Sequence, residues 1–90
     1  MIFEYDPKKA KINRQKHGIS FAEAEMVFFD LLAIHDVDPD SFTEELFMAV
    51  GMGNAGVLLV VVYTLRGEVI RLISARRSTK KEMKAYEEGI

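Results

Sequence analysis

The chain has 90 residues, of which 49% are hydrophobic and 29% charged, a composition typical of a folded globular domain. This length excludes a multidomain enzyme, and we predict one domain over residues 1–90. The absence of cysteine excludes disulfides, thiolate metal sites and cysteine nucleophiles, and it suits a reducing cytoplasm. The longest apolar run, residues 57–63, is too short for a bilayer, and we find no targeting signal. We therefore predict a cytoplasmic protein with no membrane partner.

Charge is divided into blocks along the chain, although the net charge is only −2. Residues 1–20 carry five basic and two acidic side chains, residues 21–50 carry eight acidic and no basic ones, and residues 51–90 carry seven basic and four acidic ones. If both ends of the chain meet in the fold, they form one basic surface on an acidic protein, as nucleic-acid binding requires. The alternative is a solvated surface whose charge blocks have no function.

Hydrophobic periodicity and turn residues predict eight elements of secondary structure. In chain order these are a strand over residues 2–5, helices over 8–17 and 21–30, strands over 31–37, 45–52, 57–64 and 68–75, and a helix over 80–88. Each helix follows a capping side chain, from Asp6, Ser20 and Thr79 respectively. The strand over 57–64 is continuously apolar and β-branched, so we predict that it is central and buried on both faces. The order predicts an α+β fold, a small antiparallel β-sheet meander with two N-terminal helices and one C-terminal helix.

The end of the last predicted strand is a candidate anion site. Arg76 and Arg77 stand there just before a capped helix, whose first turn adds Lys80 and Lys81. Helix N-termini and guanidinium groups both suit phosphate oxygens. On a regular strand Arg71 and Arg77 share one face while Arg76 points to the other. Arg76 and Arg77 can therefore serve one site only if the chain turns at residues 75–77. The alternative is a helix cap with a solvated basic rim.

Three other side chains are candidates for chemistry. His17 ends the first helix as a candidate acid or base near neutral pH, or as a cap for the last carbonyl groups. Tyr86 either stacks on a base or positions a proton, or it packs the last helix on the sheet. His35, Asp36 and Asp38 lack a fourth ligand in register, so we predict no metal site, and we find no cofactor-binding motif.

Two segments together resemble the BrnT family, the toxins of type II toxin–antitoxin pairs: KHGISF at residues 16–21 and ISARRST at residues 73–79. The resemblance extends in order over nearly the whole chain. It implies a RelE-like toxin fold and an endoribonuclease activity that is independent of the ribosome or loosely linked to it. It also implies a ribbon-helix-helix antitoxin, BrnA, which would bind operator DNA. The family's polar positions fall here on His17, Arg66, Arg71, Arg76, Arg77, Lys81, Glu82 and Tyr86.

The resulting hypothesis is a metal-independent ribonuclease in which the RNA 2′-hydroxyl attacks the adjacent phosphorus. The candidate catalytic residues are Arg76, Arg77, Glu82, Tyr86 and His17. The candidate RNA-binding residues are Arg66, Arg71, Lys80 and Lys81. Arginine is not a base at neutral pH, so the two catalytic arginines are phosphate clamps. The base is then Glu82 or His17, and Tyr86 or Lys81 assists the leaving group.

The competing hypothesis is a non-catalytic or degenerate interaction module that binds only its antitoxin or another partner. Three phenylalanines, Phe28, Phe29 and Phe42, are candidates for an apolar patch that a protein partner covers. The alternative is that they fill the core, which the pattern favours more for Phe28 than for Phe29.

Overall fold

A computed structural model describes residues 1–41 and 45–89 of the chain. Within these ranges one five-stranded sheet carries three α-helices and one 3₁₀ turn. The elements are β1 Ile2–Glu4, α1 Pro7–His17, α2 Phe21–Glu25, the 3₁₀ turn Met26–Phe29, β2 Ile34–Val37, β3 Phe47–Met52, β4 Leu58–Arg66, β5 Val69–Arg77 and α3 Lys80–Glu88. Their order is the predicted one. β2 begins later than predicted because the Asp30 side chain accepts from the Leu32 backbone and stabilises a turn there.

The sheet is mixed, with the strand order β1-β5-β4-β3-β2. β2 to β5 run antiparallel in chain order. β1, however, lies parallel to β5, with Ile2–Glu4 in register with Val69–Arg71. The prediction of a wholly antiparallel meander is therefore wrong. A parallel pair needs a long connection, and the elements from α1 to β4 supply it. The first and last strands of the chain consequently lie side by side.

The main core lies on one side of the sheet, which we call the front face and which carries Leu59 and Val61 of β4. The apolar stripe of the α2 segment packs there through Phe21, Ala24 and Val27, each no more than 2% exposed. The α2 segment therefore packs on the core through one apolar side.

Phe28 lies against the core and Phe29 at the surface, which is the arrangement that the sequence pattern favoured. Phe28 packs against the main core, whereas Phe29 is 60% exposed. Phe42 lies outside the described residues.

The opposite side, the back face, carries Leu58 and Val60 of β4 and is packed against α3 through Tyr86. β4 is therefore buried on both faces, as its apolar sequence predicted. None of residues 80–88 is itself buried. Polar contacts consequently carry much of the attachment of α3 to the sheet.

A β-bulge interrupts β5 at Ile73. Val62 of β4 is in register with Ser74, but the next β4 residue, Tyr63, is in register with Leu72. Ile73 is therefore the extra residue of β5. An insertion of this kind shifts the alternation of side chains on one side of it.

The bulge changes which arginines of β5 share a face. Arg71 is in register with Thr64 and Arg76 with Val60, and residues opposite each other in a sheet point to the same side. Both arginines therefore lie on the back face, and Arg77 points to the front. The predicted grouping of Arg71 with Arg77 is wrong, because a strict period of two omits the bulge.

One polar side chain docks α1 on the sheet. Among residues 7–17 the buried one is Asn13. Its amide nitrogen donates to the carbonyl oxygens of Ala75 at 2.9 Å and Ile19 at 3.0 Å, and its amide oxygen accepts from the Ala75 backbone nitrogen at 3.0 Å. β1 is in register only with residues 69–71, so farther along β5 the Asn13 side chain takes the place of a neighbouring strand. α1 is thereby fixed at this edge of β5.

Replacing Asn13 with alanine is expected to lower the free energy of unfolding by about 2–4 kcal/mol, because buried backbone groups of Ala75 and Ile19 lose their partners. Chemical denaturation measures this difference. Gln15→Ala removes an exposed amide from the same helix and should change the free energy by less than about 0.5 kcal/mol. Equally small effects of the two substitutions would contradict the docking role.

Candidate functional site

A cleft of about 200 Å³ opens where α1 passes the bulge of β5. Its lining residues are Lys9, Ile12, Asn13, Lys16 and His17 of α1 and Ile73 and Ser74 of β5. The basic side chains share a helical stripe with the buried asparagine, because positions i, i+4, i+7 and i+8 fall on one face. The contact that anchors α1 therefore also turns these basic groups toward β5.

The cleft contains cationic groups that can bind an anion and an imidazole that can transfer a proton. Among the described residues, neither Lys9 nor Lys16 forms an ion pair, so both charges are available to a ligand. His17 is half-buried at the end of α1, where Gly18 adopts a φ of 72° and terminates the helix. An imidazole can accept or donate a proton near neutral pH, and ammonium groups stabilise a phosphate.

The back face of β5 continues this basic surface. Ser74 of the cleft lies on the same face as Arg71 and Arg76, and Arg66 at the end of β4 lies there too. Arg71 forms an ion pair with Glu4 of β1, with 3.3 Å between Nη1 and Oε1. The structure thus brings three predicted arginines to one side of the sheet, and His17 lines the cleft that borders them.

Arg76 is held in a bidentate ion pair with Glu82 of α3. Its two terminal nitrogens donate to the two carboxylate oxygens, each at 2.8 Å, and the Thr79 backbone nitrogen donates to the same carboxylate at 2.8 Å. These contacts, with the Arg76 hydrogen bonds the largest cause, lower the pKa of Glu82 to about 2. At neutral pH Glu82 is therefore a carboxylate with both oxygens engaged, and a weak base.

Tyr86 also binds across the fold. Its hydroxyl donates to Asp30 Oδ2 at 2.6 Å, and the same oxygen accepts from the Met52 backbone nitrogen at 2.9 Å. The bond to Asp30 raises the pKa of Tyr86 to about 12. Tyr86 and Glu82 therefore hold α3 against the sheet, and neither lines the cleft beside α1.

The other predicted cations are exposed. Arg77 points to the front side at the end of β5, and Lys80 and Lys81 occupy the first turn of α3. Among the described residues none of these three side chains forms an ion pair. Arg76 and Arg77, which we predicted to bind phosphate together, therefore have different surroundings. Arg76 is bound to Glu82, and Arg77 is accessible to a ligand.

Of the residues that line this cleft, the sequence analysis singled out His17 but not Lys9, Asn13, Lys16 or Ser74. One signal for the helical group was present. Asparagine is unfavourable in the interior of a helix unless its side chain has a specific partner. Asn13 stands in the middle of a helix with few apolar residues, so it was a candidate for the contact that docks this helix. The stripe through Asn13 identifies the docked face. The position of Ser74 has no such signal, because it depends on the bulge.

His35, which the sequence analysis considered as a metal ligand, contacts a tyrosine. Its Nδ1 atom and the Tyr63 hydroxyl are in hydrogen-bond contact at 2.9 Å. Among residues 1–41 and 45–89 no group of three or more His, Asp or Glu side chains is arranged to hold a metal ion. In the same part of the chain, no helix combines the length and apolar character that a membrane crossing needs.

The fold is similar to that of a ribonuclease toxin. The crystal structure of the Brucella abortus ribonuclease toxin, BrnT, matches with a TM-score of 0.65 and 24% identity, covering 89% of this chain and 100% of that chain. At this identity the match establishes the fold. No curated protein matches this chain.

A family model described as the ribonuclease toxin, BrnT, of type II toxin–antitoxin systems matches residues 5–82. This chain therefore belongs to the BrnT family, which confirms the resemblance seen in the sequence. The expected likeness to RelE-type toxins stays a prediction.

Glu82→Gln should weaken the attachment of α3 in a pH-dependent way. A carboxyl whose pKa falls from 4.5 to about 2 on folding stabilises the fold above pH 4.5, and this contribution disappears as the pH falls toward 2. At neutral pH we expect the substitution to lower the free energy of unfolding by about 1–2 kcal/mol, a range reduced for the partial exposure of the ion pair. Glutamine retains the acceptor that the capping box needs.

Denaturation at a series of pH values measures this effect. The difference between the two proteins should shrink as the pH falls below about 5 and vanish near pH 2. Glu88→Gln is the matched control, since it removes a charge from the 3.9 Å surface pair with Lys84 in the same helix. Its effect should stay below about 0.5 kcal/mol. A constant difference for Glu82→Gln across the series would contradict the assignment.

Proposed function

We propose that this chain is a metal-independent endoribonuclease toxin that cleaves RNA in the cytoplasm, stops translation and growth, and is neutralised by a cognate antitoxin. The observation that carries the proposal is the cationic stripe of α1, which the Asn13 contact holds beside Ser74. Membership of the BrnT family supports the ribonuclease class, the RNA target and the antitoxin partner. We further propose that the antitoxin is a BrnA-like ribbon-helix-helix protein that binds operator DNA.

The chemistry is an attack within the RNA strand. The 2′-oxygen forms a bond to the adjacent phosphorus, and the bond from phosphorus to the 5′-oxygen breaks, which leaves a 2′,3′-cyclic phosphate and a 5′-hydroxyl end. The reaction needs a base for the 2′-hydroxyl, positive charge for the phosphorane and a proton for the 5′-oxygen. In the cleft His17 is the base, Lys9 stabilises the developing charge, and Lys16 protonates the leaving oxygen.

Glu82 and Tyr86 fit a positioning role better than proton transfer. The pKa of Glu82 is about 2 and both of its oxygens are engaged. The pKa of Tyr86 is about 12 and its proton is donated to Asp30. Of the two bases considered from the sequence, the geometry favours His17.

The remaining cations are proposed to bind the RNA backbone on either side of the cleft. Arg66 and Arg71 lie along the back face, and Arg77 is accessible at the end of β5, whereas Arg76 is engaged by Glu82. Lys80 and Lys81 extend this surface onto α3. Each of these contacts contributes affinity through phosphate neutralisation, without reading the base sequence.

His17→Ala should reduce kcat/KM for RNA cleavage by about 10²–10⁴-fold, because the proton-transfer group is lost. The measurement is cleavage of an end-labelled RNA by purified protein, with the new 5′-hydroxyl ends mapped by primer extension. Lys8→Ala is the matched control: it removes a charge from α1 outside the cleft and should change kcat/KM by less than about threefold. Cleavage by His17→Ala at the wild-type rate would place the active site elsewhere. A wild-type protein that neither arrests growth nor cuts RNA would support the competing non-catalytic module.

Arg76→Ala and Arg77→Ala should separate a structural effect from an RNA-binding effect. Arg76→Ala leaves Glu82 without its partner and should lower the free energy of unfolding by about 1–3 kcal/mol. Arg77→Ala should leave stability unchanged, weaken RNA binding and reduce the salt dependence of the binding constant by about one charge. Thermal denaturation and RNA titrations at several salt concentrations measure these effects. Destabilisation by Arg77→Ala, with unchanged RNA binding, would contradict the proposed roles.

A further inference from the structure

A second cleft, of about 360 Å³, lies on the front face near the β2 edge of the sheet. Its lining residues are His35, Asp36, Val37, Phe47, Tyr63 and Leu65. Apart from Asp36 these side chains form one group across β2, β3 and β4, because residues in register share a face. The 3₁₀ turn reaches the group at Phe28, whose ring centroid is 4.9 Å from that of Tyr63. The cleft therefore begins where this helical cover ends.

The cleft has a fixed aromatic floor and an exposed apolar rim. The rings of Phe47 and Tyr63 stack with 5.5 Å between centroids, and the Tyr63 hydroxyl is in hydrogen-bond contact with His35. Tyr63 is 7% exposed, whereas Val37 and Leu65 on the rim are 51% and 52% exposed. Apolar side chains at the rim of a preformed aromatic recess are typical of a surface that receives an apolar anchor from a partner.

The surroundings of this cleft are acidic. Asp36 lines it, and Glu45 precedes β3, where its carbonyl oxygen accepts from the Thr64 hydroxyl. Both acidic residues belong to the stretch 21–50, which has eight acidic side chains and no lysine or arginine. Such a rim repels RNA phosphates and attracts lysine and arginine side chains.

We propose that this cleft is the docking surface for a basic amphipathic segment of a protein partner. One or two apolar side chains of that segment enter the recess over Tyr63, and its lysine or arginine side chains meet the acidic rim. In a toxin–antitoxin pair this partner is the antitoxin, so the inference rests on that part of the proposed function and not on the ribonuclease chemistry. Partner docking at the β2 edge is then separable by mutation from RNA binding at the β5 edge.

The double substitution Val37→Ser with Leu65→Ser should weaken binding of the antitoxin by about 10–100-fold, because two apolar contacts at the rim are lost. The probe is the protein expressed from the reading frame adjacent to this one, and isothermal titration calorimetry gives the dissociation constant. Binding by the wild-type chain should also weaken as the salt concentration rises. Both positions are more than half exposed, so thermal denaturation should show an unchanged fold.

Leu31→Ser is the matched control, because Leu31 is an apolar side chain that is 99% exposed and does not line the cleft. It should change the dissociation constant by less than about twofold. An equal effect of the control and the double substitution would overturn the proposal.

RNA cleavage measured on the same proteins keeps this inference apart from the ribonuclease proposal. Weaker antitoxin binding by the double variant supports the docking surface if RNA cleavage is retained. It also supports the docking surface if no protein cleaves RNA, the wild type included, because the ribonuclease proposal alone then fails. Four results would overturn it: no binding by the wild-type chain, wild-type affinity in the double variant, loss of RNA binding in its place, or a change in the sedimentation of the chain alone, which would indicate a contact between two copies.

Discussion

The pairing of the Asn13 side chain with both backbone groups of Ala75 decides where the positive charge of this protein lies. α1 has no apolar stripe that would pack it on the core, and its buried side chain is a single amide. That amide reproduces the donor and acceptor pattern of a neighbouring strand, so both backbone groups of Ala75 are satisfied at this edge of β5. The cationic stripe on the same side of α1 then meets Ile73 and Ser74, which lie far away in the chain. A hydrophobic contact would hold the helix without fixing its rotation so closely.

Polar contacts also attach α3, and they explain the three residues for which the sequence allowed either a catalytic or a structural role. Arginine, glutamate and tyrosine all occur as charge-stabilising or proton-transfer groups in active sites, yet here Arg76, Glu82 and Tyr86 attach α3 to the sheet. A helix with no buried residue depends on such geometry-specific contacts. Residue types alone therefore do not distinguish a catalytic group from a structural one. The partner of each side chain does, and that partner is set by the tertiary fold.

Local physics explains which parts of the fold the sequence predicted. Helix caps at Asp6, Ser20 and Thr79 and the apolar run of β4 depend on neighbours within a few residues, and all were predicted correctly. The parallel pairing of β1, the bulge at Ile73 and the Asn13 contact join distant segments, so no short pattern contains them. The bulge alone reversed the predicted facing of Arg71. His17 was predicted because a histidine at a helix end is a local feature, but its neighbour Ser74 depends on the bulge.

The fold also explains how a chain of net charge −2 presents a basic surface. Three strand spacings of about 4.8 Å place β5 and β2 about 14 Å apart, whereas the Debye length at physiological ionic strength is about 8 Å. A ligand beside one of these strands is consequently screened from most of the charges beside the other. The separation is not complete: the hydrogen bond to Glu82 is the largest cause that raises the pKa of Arg76, and the charge of Asp38 adds to it. Net charge is then a poor predictor of anion binding by this protein, because a phosphate group responds to the cations nearest to it.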